Sequence, residues 1–196
     1  MNDSPRNAAW VIVDTAFPPA WLAEFCRDLE RLYRINPYLG FRYWRPAPHG
    51  GADVAWRNHS NGCDYELRLT PAPGAPESFA VHYDRGVKQS TRFEITPAPG
   101  GSRLKITDIY PGEPGTGAPD TTEVDRSLHA WGVALRDYLR REARWGGFAI
   151  WRWYMRRVWL PMKPAARRIT FIILLVTLAE LALFALVMAI YWIERD

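Results

Sequence analysis

The chain has 196 residues, 25 Lys/Arg against 21 Asp/Glu, and two cysteines. That length suits one domain with a real core plus an appendage, and Cys26 and Cys63 stand without CxxC spacing, which excludes a disulfide framework and a cysteine-built zinc site. The charge is uneven: residues 1–135 (14 basic, 16 acidic) sum to −2, residues 136–168 (10 basic, 2 acidic) to +8, and residues 169–196 (1 basic, 3 acidic) to −2, so the basic character sits in one segment and does not describe a nucleic-acid-binding domain.

The opening MNDSPRNAAW is polar and shows no apolar h-region of a secretory signal. Residues 8–17 (AAWVIVDTAF) are β-branched and aromatic and read as a strand. Pro18-Pro19 opens a helix whose apolar face is Trp21, Phe25, Leu29, Leu32 and Tyr33, divisible into two short helices near Asp28. Asn36-Pro37 stops it.

From Gly40 the hydrophobic period drops to two. GFRYWRP and ADVAWRNHS read as strands, and Asn61-Gly62 as a hairpin turn before CDYELRLT. Residues 71–76 (PAPGAP) read as a loop. ESFAVHYD, GVKQSTRFEIT and SRLKITDIY then supply three more strands, divided by turns at residues 84–86 and 97–101. Residues 111–120 (PGEPGTGAPD) form a Pro/Gly linker with no phosphate-loop pattern. Val124, Leu128, Trp131, Leu135 and Tyr138 recur at helical spacing, with Asp120 or Thr121 as N-cap of a long helix.

The expected domains are a tail (1–7), a folded domain (8–145), a basic-aromatic juxtamembrane segment (146–168), a transmembrane helix (169–193) and a short tail (194–196). Residues 169–193 carry Glu180 as their one ionisable group and, at about 1.5 Å per residue, exceed the ~30 Å bilayer core. Trp151, Arg152, Trp153, Arg156, Arg157, Trp159, Lys163, Arg167 and Arg168 before it read as interface residues, aromatics at the headgroups and cations among anionic lipid. A short helix at about 148–160 would lie in the membrane plane. The positive flank places the N-terminal domain in the cytoplasm, in a single-pass, tail-anchored protein of the cell inner membrane; Arg outnumbers Lys 22 to 3, as in GC-rich bacterial genomes. Glu180 in mid-span reads either as a protonated carboxyl hydrogen bonded locally or, more sharply, as a contact with another membrane helix, of a partner or of a second copy.

An early strand, two short helices, six meandering strands and a long final helix describe an α+β chain with a curved antiparallel sheet of about seven strands around that helix. VIVDTAFPPAWLAEFCRDLERLYRINP, GVKQSTRFEI…GSRLKITDIY and the final helix resemble the helix-grip superfamily of START-like domains (SRPBCC, polyketide cyclase/dehydrase-like) over residues 8–145. The added transmembrane helix departs from many members. The resemblance implies an apolar cavity between sheet and helix, and hence a hydrophobic ligand such as a lipid, quinone or isoprenoid.

The candidate cavity residues are Trp56, Tyr65, Phe79, Tyr83, Phe93, Tyr110 and Trp131, with the polar Gln89, Thr91 and Asp108 in phase with apolar strand positions. GxSxG, HExxH, GxGxxG and P-loop patterns are absent, and His49, His59, His82 and His129 are scattered. No catalytic residue, metal site or cofactor is expected. The expected partners are membrane lipid, a hydrophobic ligand and a membrane protein or second copy, with no nucleic acid. The alternative to a ligand carrier is an accessory or assembly subunit of a membrane complex; a cyclase-type enzyme ranks third for want of an acid–base pair.

Overall fold

The computed structural model describes residues 8–75, 77–111 and 127–195. Seven strands, β1 (Ala8–Thr15), β2 (Leu39–Pro46), β3 (Ala52–Asn58), β4 (Asp64–Ala75), β5 (Ser78–Tyr83), β6 (Ser90–Ala98) and β7 (Gly101–Ile109), form one antiparallel sheet in the order β1-β7-β6-β5-β4-β3-β2. The meander runs β2 to β7 and then meets β1, in full register from Ala8↔Ile109 to Thr15↔Ser102. Two short helices, α1 (Pro19–Arg27) and α2 (Leu29–Arg34), connect β1 to β2. They are separate because Asp28 leaves the helical conformation and its carboxylate accepts the Arg31 N–H at 3.1 Å, capping α2.

The long helix α3 (Ser127–Trp145) buries Leu128, Trp131, Leu135, Tyr138 and Leu139 against the sheet. It approaches β1 closely at Gly132, where a side chain would collide with Val11. Its expected start at Asp120 or Thr121, Val124 and most of the linker lie outside the described residues. Helix α4 (Ala149–Tyr154) follows and runs into a π-helical turn, Met155–Trp159. Helix α5 (Pro164–Arg195) comes last. The chain divides into two compact units, residues 1–161 and 162–196. In the first, Met155 and Leu160 belong to the buried core, so the compact unit runs past the boundary expected at residue 145.

Two local expectations need correction. Residues 71–75 are strand, not loop: β4 keeps pairing with β5 through Pro71↔Val81 and Ala72↔Ala80, then shifts register before Ala75↔Ser78. Gly74 permits that irregularity, since a Cβ there would strike the Ser78 carbonyl. The strand expected from Gly86 begins only at Ser90, and residues 84–89 are turn and loop, with Gly86 at φ 106°. The Asn61-Gly62 hairpin between β3 and β4 is present as expected: Asn58 accepts the Gly62 N–H and the Asn61 side chain accepts the Cys63 N–H.

Candidate ligand pocket

A half-open cleft lies between the sheet, α2 and α3. Tyr33 and Asn36 enter it from α2 and the residues just after, Trp131 from α3, and Leu39, Trp56, Asn58, Tyr65, Leu67 and Tyr83 from β2 to β5. Arg85, Gly86, Val87 and Lys88 of the β5–β6 turn complete the wall. Including its open mouth the cleft encompasses about 410 Å³, yet only about 30 Å³ can hold the centre of a water-sized molecule. That is room for one or two waters, against the ~300–1,000 Å³ of ordinary small-molecule sites.

Aromatic rings take up the remainder. Tyr33 stacks near Trp56 with centroids 6.1 Å apart and tilts against Trp131 at 5.2 Å. The Trp131 indole N–H donates to the Leu32 carbonyl at 3.1 Å, which fixes the ring. Asn36 donates to Ser127 at 3.0 Å, tying the end of α2 to the start of α3.

The polar interior is one chain of groups. The Tyr33 and Tyr83 hydroxyls share a hydrogen bond of 2.7 Å, Tyr83 and Thr91 share another of 2.7 Å, and Thr91 donates to Asp108 Oδ1 at 2.6 Å. A hydroxyl has one proton to give, so Thr91, committed to Asp108, accepts from Tyr83, and Tyr83 accepts from Tyr33. Lys88 Nζ lies 2.6 Å from Asp108 Oδ2 as a close ion contact without hydrogen-bond alignment. Asp108 is fully buried, and burial together with the neighbouring Tyr83 raises the Tyr33 phenol well above its ordinary pKa. The Tyr33 hydroxyl thus keeps its proton, and the three hydroxyls direct theirs in sequence toward Asp108.

Of the expected cavity residues, Trp56, Tyr65, Tyr83 and Trp131 line the cleft. Thr91 and Asp108 stand behind Tyr83. The other four do not face it. Phe93 is fully buried, stacked on Phe79 at 4.9 Å and edge-on to Trp131 at 6.0 Å, and is core. Phe79 borders a separate groove with Leu29, His49 and Pro71. Gln89 is exposed because β6 starts one residue later, and Tyr110 lies beyond the end of β7. The pattern of the chain passed over Tyr33, Asn36 and Lys88. Tyr33 reads as one more apolar helix position, and Lys88 as one more polar strand residue; what marks both is a pairing across the fold. All four histidines are exposed, and among the described residues no cluster of metal-ligating side chains occurs.

The segment after α3 divides differently from expectation. Trp151, Tyr154 and Trp159 are partly buried against the domain core, and Trp159 lies 6.1 Å from the Tyr138 ring. Tyr138 in turn accepts from the buried Arg31 at 2.7 and 2.9 Å, and Arg31 pairs with Glu142 at 3.1 Å. Trp151 and Trp159 are therefore in large part protein contacts, because Met155 and Leu160 draw that helix face into the core. Arg152, Trp153, Arg156, Arg157, Lys163 and Arg168 are exposed, and Arg167 partly so. In α5, residues 165–193 are long and apolar enough to cross a membrane, and their side chains, Glu180 included, are exposed almost throughout.

No family model matches the chain, and no curated protein matches it in sequence. Solved structures do match in fold. A START superfamily protein from Mycobacterium smegmatis shares 15% identity at a TM-score of 0.50, over 68% of this chain and 96% of its own. The Zhui aromatase/cyclase from Streptomyces sp. R1128 shares 13% identity at a TM-score of 0.51, over 74% of this chain and 97% of its own. The likeness to both is one of fold: the chain has a START-like helix-grip fold, and residues 165–193 form one helix long and apolar enough to span a bilayer.

Proposed function

We propose that the chain is a membrane-tethered START-like domain that takes one hydrophobic molecule, of the lipid, quinone or isoprenoid class, into the cleft beside Tyr83 at the cytoplasmic face of the membrane. One observation carries this reading: an aromatic-walled cleft is bordered by a hydroxyl chain that ends on a buried carboxylate. Apolar walls with a few convergent polar groups orient a small ligand. The length and apolarity of residues 165–193 support the tether, and the +8 segment before them supports a cytoplasmic domain. With about 30 Å³ free, the molecule enters as the 84–89 turn yields. Gly86 packs there against the Tyr65 ring and Leu67, with no side chain of its own to hold it.

The test is to purify the full chain in mild detergent and identify extracted small molecules by mass spectrometry. One apolar compound near unit stoichiometry is expected, reduced in Trp56→Ala. A preparation free of any such compound, which also fails to take up quinone or lipid on titration, sinks the reading.

The small free volume favours a second reading. A cleft filled by its own rings serves an accessory or assembly subunit, in which the domain is a docking body for other membrane proteins. Native electrophoresis of gently solubilised membranes separates the two: a persistent large assembly without ligand supports the second.

A further inference from the structure

We propose that the outward face of α4, carrying Phe148, Ile150 and Trp153, beds the folded domain itself into an anionic lipid headgroup layer. This rests on the membrane reading above and adds which residues of the domain touch the bilayer. Trp151, Tyr154, Met155 and Trp159 recur at i, i+3, i+4 and i+8 and turn toward the core. That stripe already supplies the apolar face an amphipathic helix needs, so its outward face should be polar. Instead Ile150 is 83% exposed, Trp153 61% and Phe148 60%.

Single exposed apolar residues are ordinary, but a cluster of large ones marks an interaction surface. Here the cluster is set among the exposed Arg152, Arg156 and Arg157, and no acid occurs between Glu142 and Glu180. Bulky apolar groups interleaved with arginines, without acids, complement an anionic lipid surface: the rings enter the headgroup layer and the guanidinium groups meet phosphates. The apolar helix of residues 165–193 follows a short way on in the chain. The face is also preformed. Arg152 donates to the Gly146 and Gly147 carbonyls at 2.8 and 3.1 Å, and Phe148 lies 5.9 Å from the Trp145 ring.

The experiment uses the full chain with Cys63→Ser and the buried Cys26 left in place. An environment-sensitive fluorophore is attached at Ile150→Cys, Trp153→Cys, the distant exposed site Arg42→Cys, or Leu178→Cys within α5. Each variant is reconstituted into phosphatidylcholine vesicles with or without about one-third phosphatidylglycerol, and lipid-borne quenchers are added. The expected result is blue-shifted emission at 150 and 153, with quenching about twofold or more above the Arg42 site, weakening when the anionic lipid is removed. Water-exposed probes at 150 and 153 with a lipid-quenched probe at 178 would overturn this proposal and leave the membrane reading standing. An aqueous probe at 178 as well would overturn both. Blue-shifted probes at 150 and 153 that lipid quenchers cannot reach would place protein on this face and also overturn it.

Discussion

Two regions of this molecule break the ordinary inside-out rule in opposite directions. Beneath Tyr83, polar groups are buried among rings: Thr91 and Asp108 have no exposed surface, and Lys88 has little. On the outer face of α4, large apolar groups stand in the open among arginines. Buried polar groups and exposed apolar clusters are the departures that carry information, because each costs stability unless something compensates. In the interior the compensation is inside the chain, donor by donor, ending on an ion contact. On the α4 face no such compensation occurs among the described residues, and the proposed lipid layer would supply it. The first region is legible as a site that fixes orientation, the second as a surface that needs a partner phase.

Four perturbations sharpen the contrast. The largest effect is expected for Asp108→Ala, which removes the ion partner of Lys88 and the acceptor of Thr91, leaves a buried void and should destabilise the domain by about 3–5 kcal/mol. The double variant Lys88→Met, Asp108→Leu should recover most of that loss in chemical unfolding. A single-variant loss below about 1 kcal/mol would show that the interior is not paying for its polar groups as described.

Alkaline pH comes next. Burial pushes the Cys26 thiol up from its ordinary 9.0 to about 12. The folded state thus keeps a proton that the unfolded chain releases. The associated stability is complete below about pH 9 and is lost toward about pH 12 at roughly 1.4 kcal/mol per pH unit. Burial raises the Tyr33 and Tyr138 phenols as well, which adds a loss of the same sign beginning near pH 10. Cys26→Ala should remove the earliest part of the decline, measured as midpoint against pH; an unchanged curve counts against a buried thiol.

Tyr83→Phe deletes the middle hydroxyl of the chain and should cost about 1 kcal/mol, somewhat more if Thr91 is left without its donor. Its coupling to Tyr33→Phe in a double-mutant cycle should be non-zero, since one variant removes what the other binds. Smallest of all, Ile150→Ser and Trp153→Ser should each change the unfolding midpoint by no more than about 0.5 kcal/mol equivalent. A large loss in either would mean that the outer face packs on protein.

Much of this arrangement is written in local pattern, and the rest is not. Cys63, Tyr65, Leu67 and Leu69 alternate with polar neighbours, so β4 is readable where it starts, but its continuation through Pro71 and Ala72 depends on β5 pairing opposite. Asp28 between two apolar runs announces a helix break that its carboxylate then makes. Thr91 and Asp108 stand out as polar residues in apolar phase, and they do meet, because β6 and β7 pair them directly. Tyr33 and Lys88 carry no such mark: one is separated by fifty residues from the hydroxyl it bonds, the other lies in a turn. Trp151 and Trp159 show a second contact that composition does not announce. Composition makes them interfacial, whereas their helical phase with Met155, read against a core, makes them half internal.

The central claim is that the cleft beside Tyr83 receives a hydrophobic molecule, and a density map of the full chain purified in mild detergent tests it most directly. The account predicts elongated density in contact with Trp56, Tyr65 and Tyr83, with residues 84–89 displaced outward and the cleft enlarged severalfold over its present 30 Å³. An empty cleft of unchanged volume, with Tyr33, Trp56 and Trp131 still packed ring against ring, would contradict it.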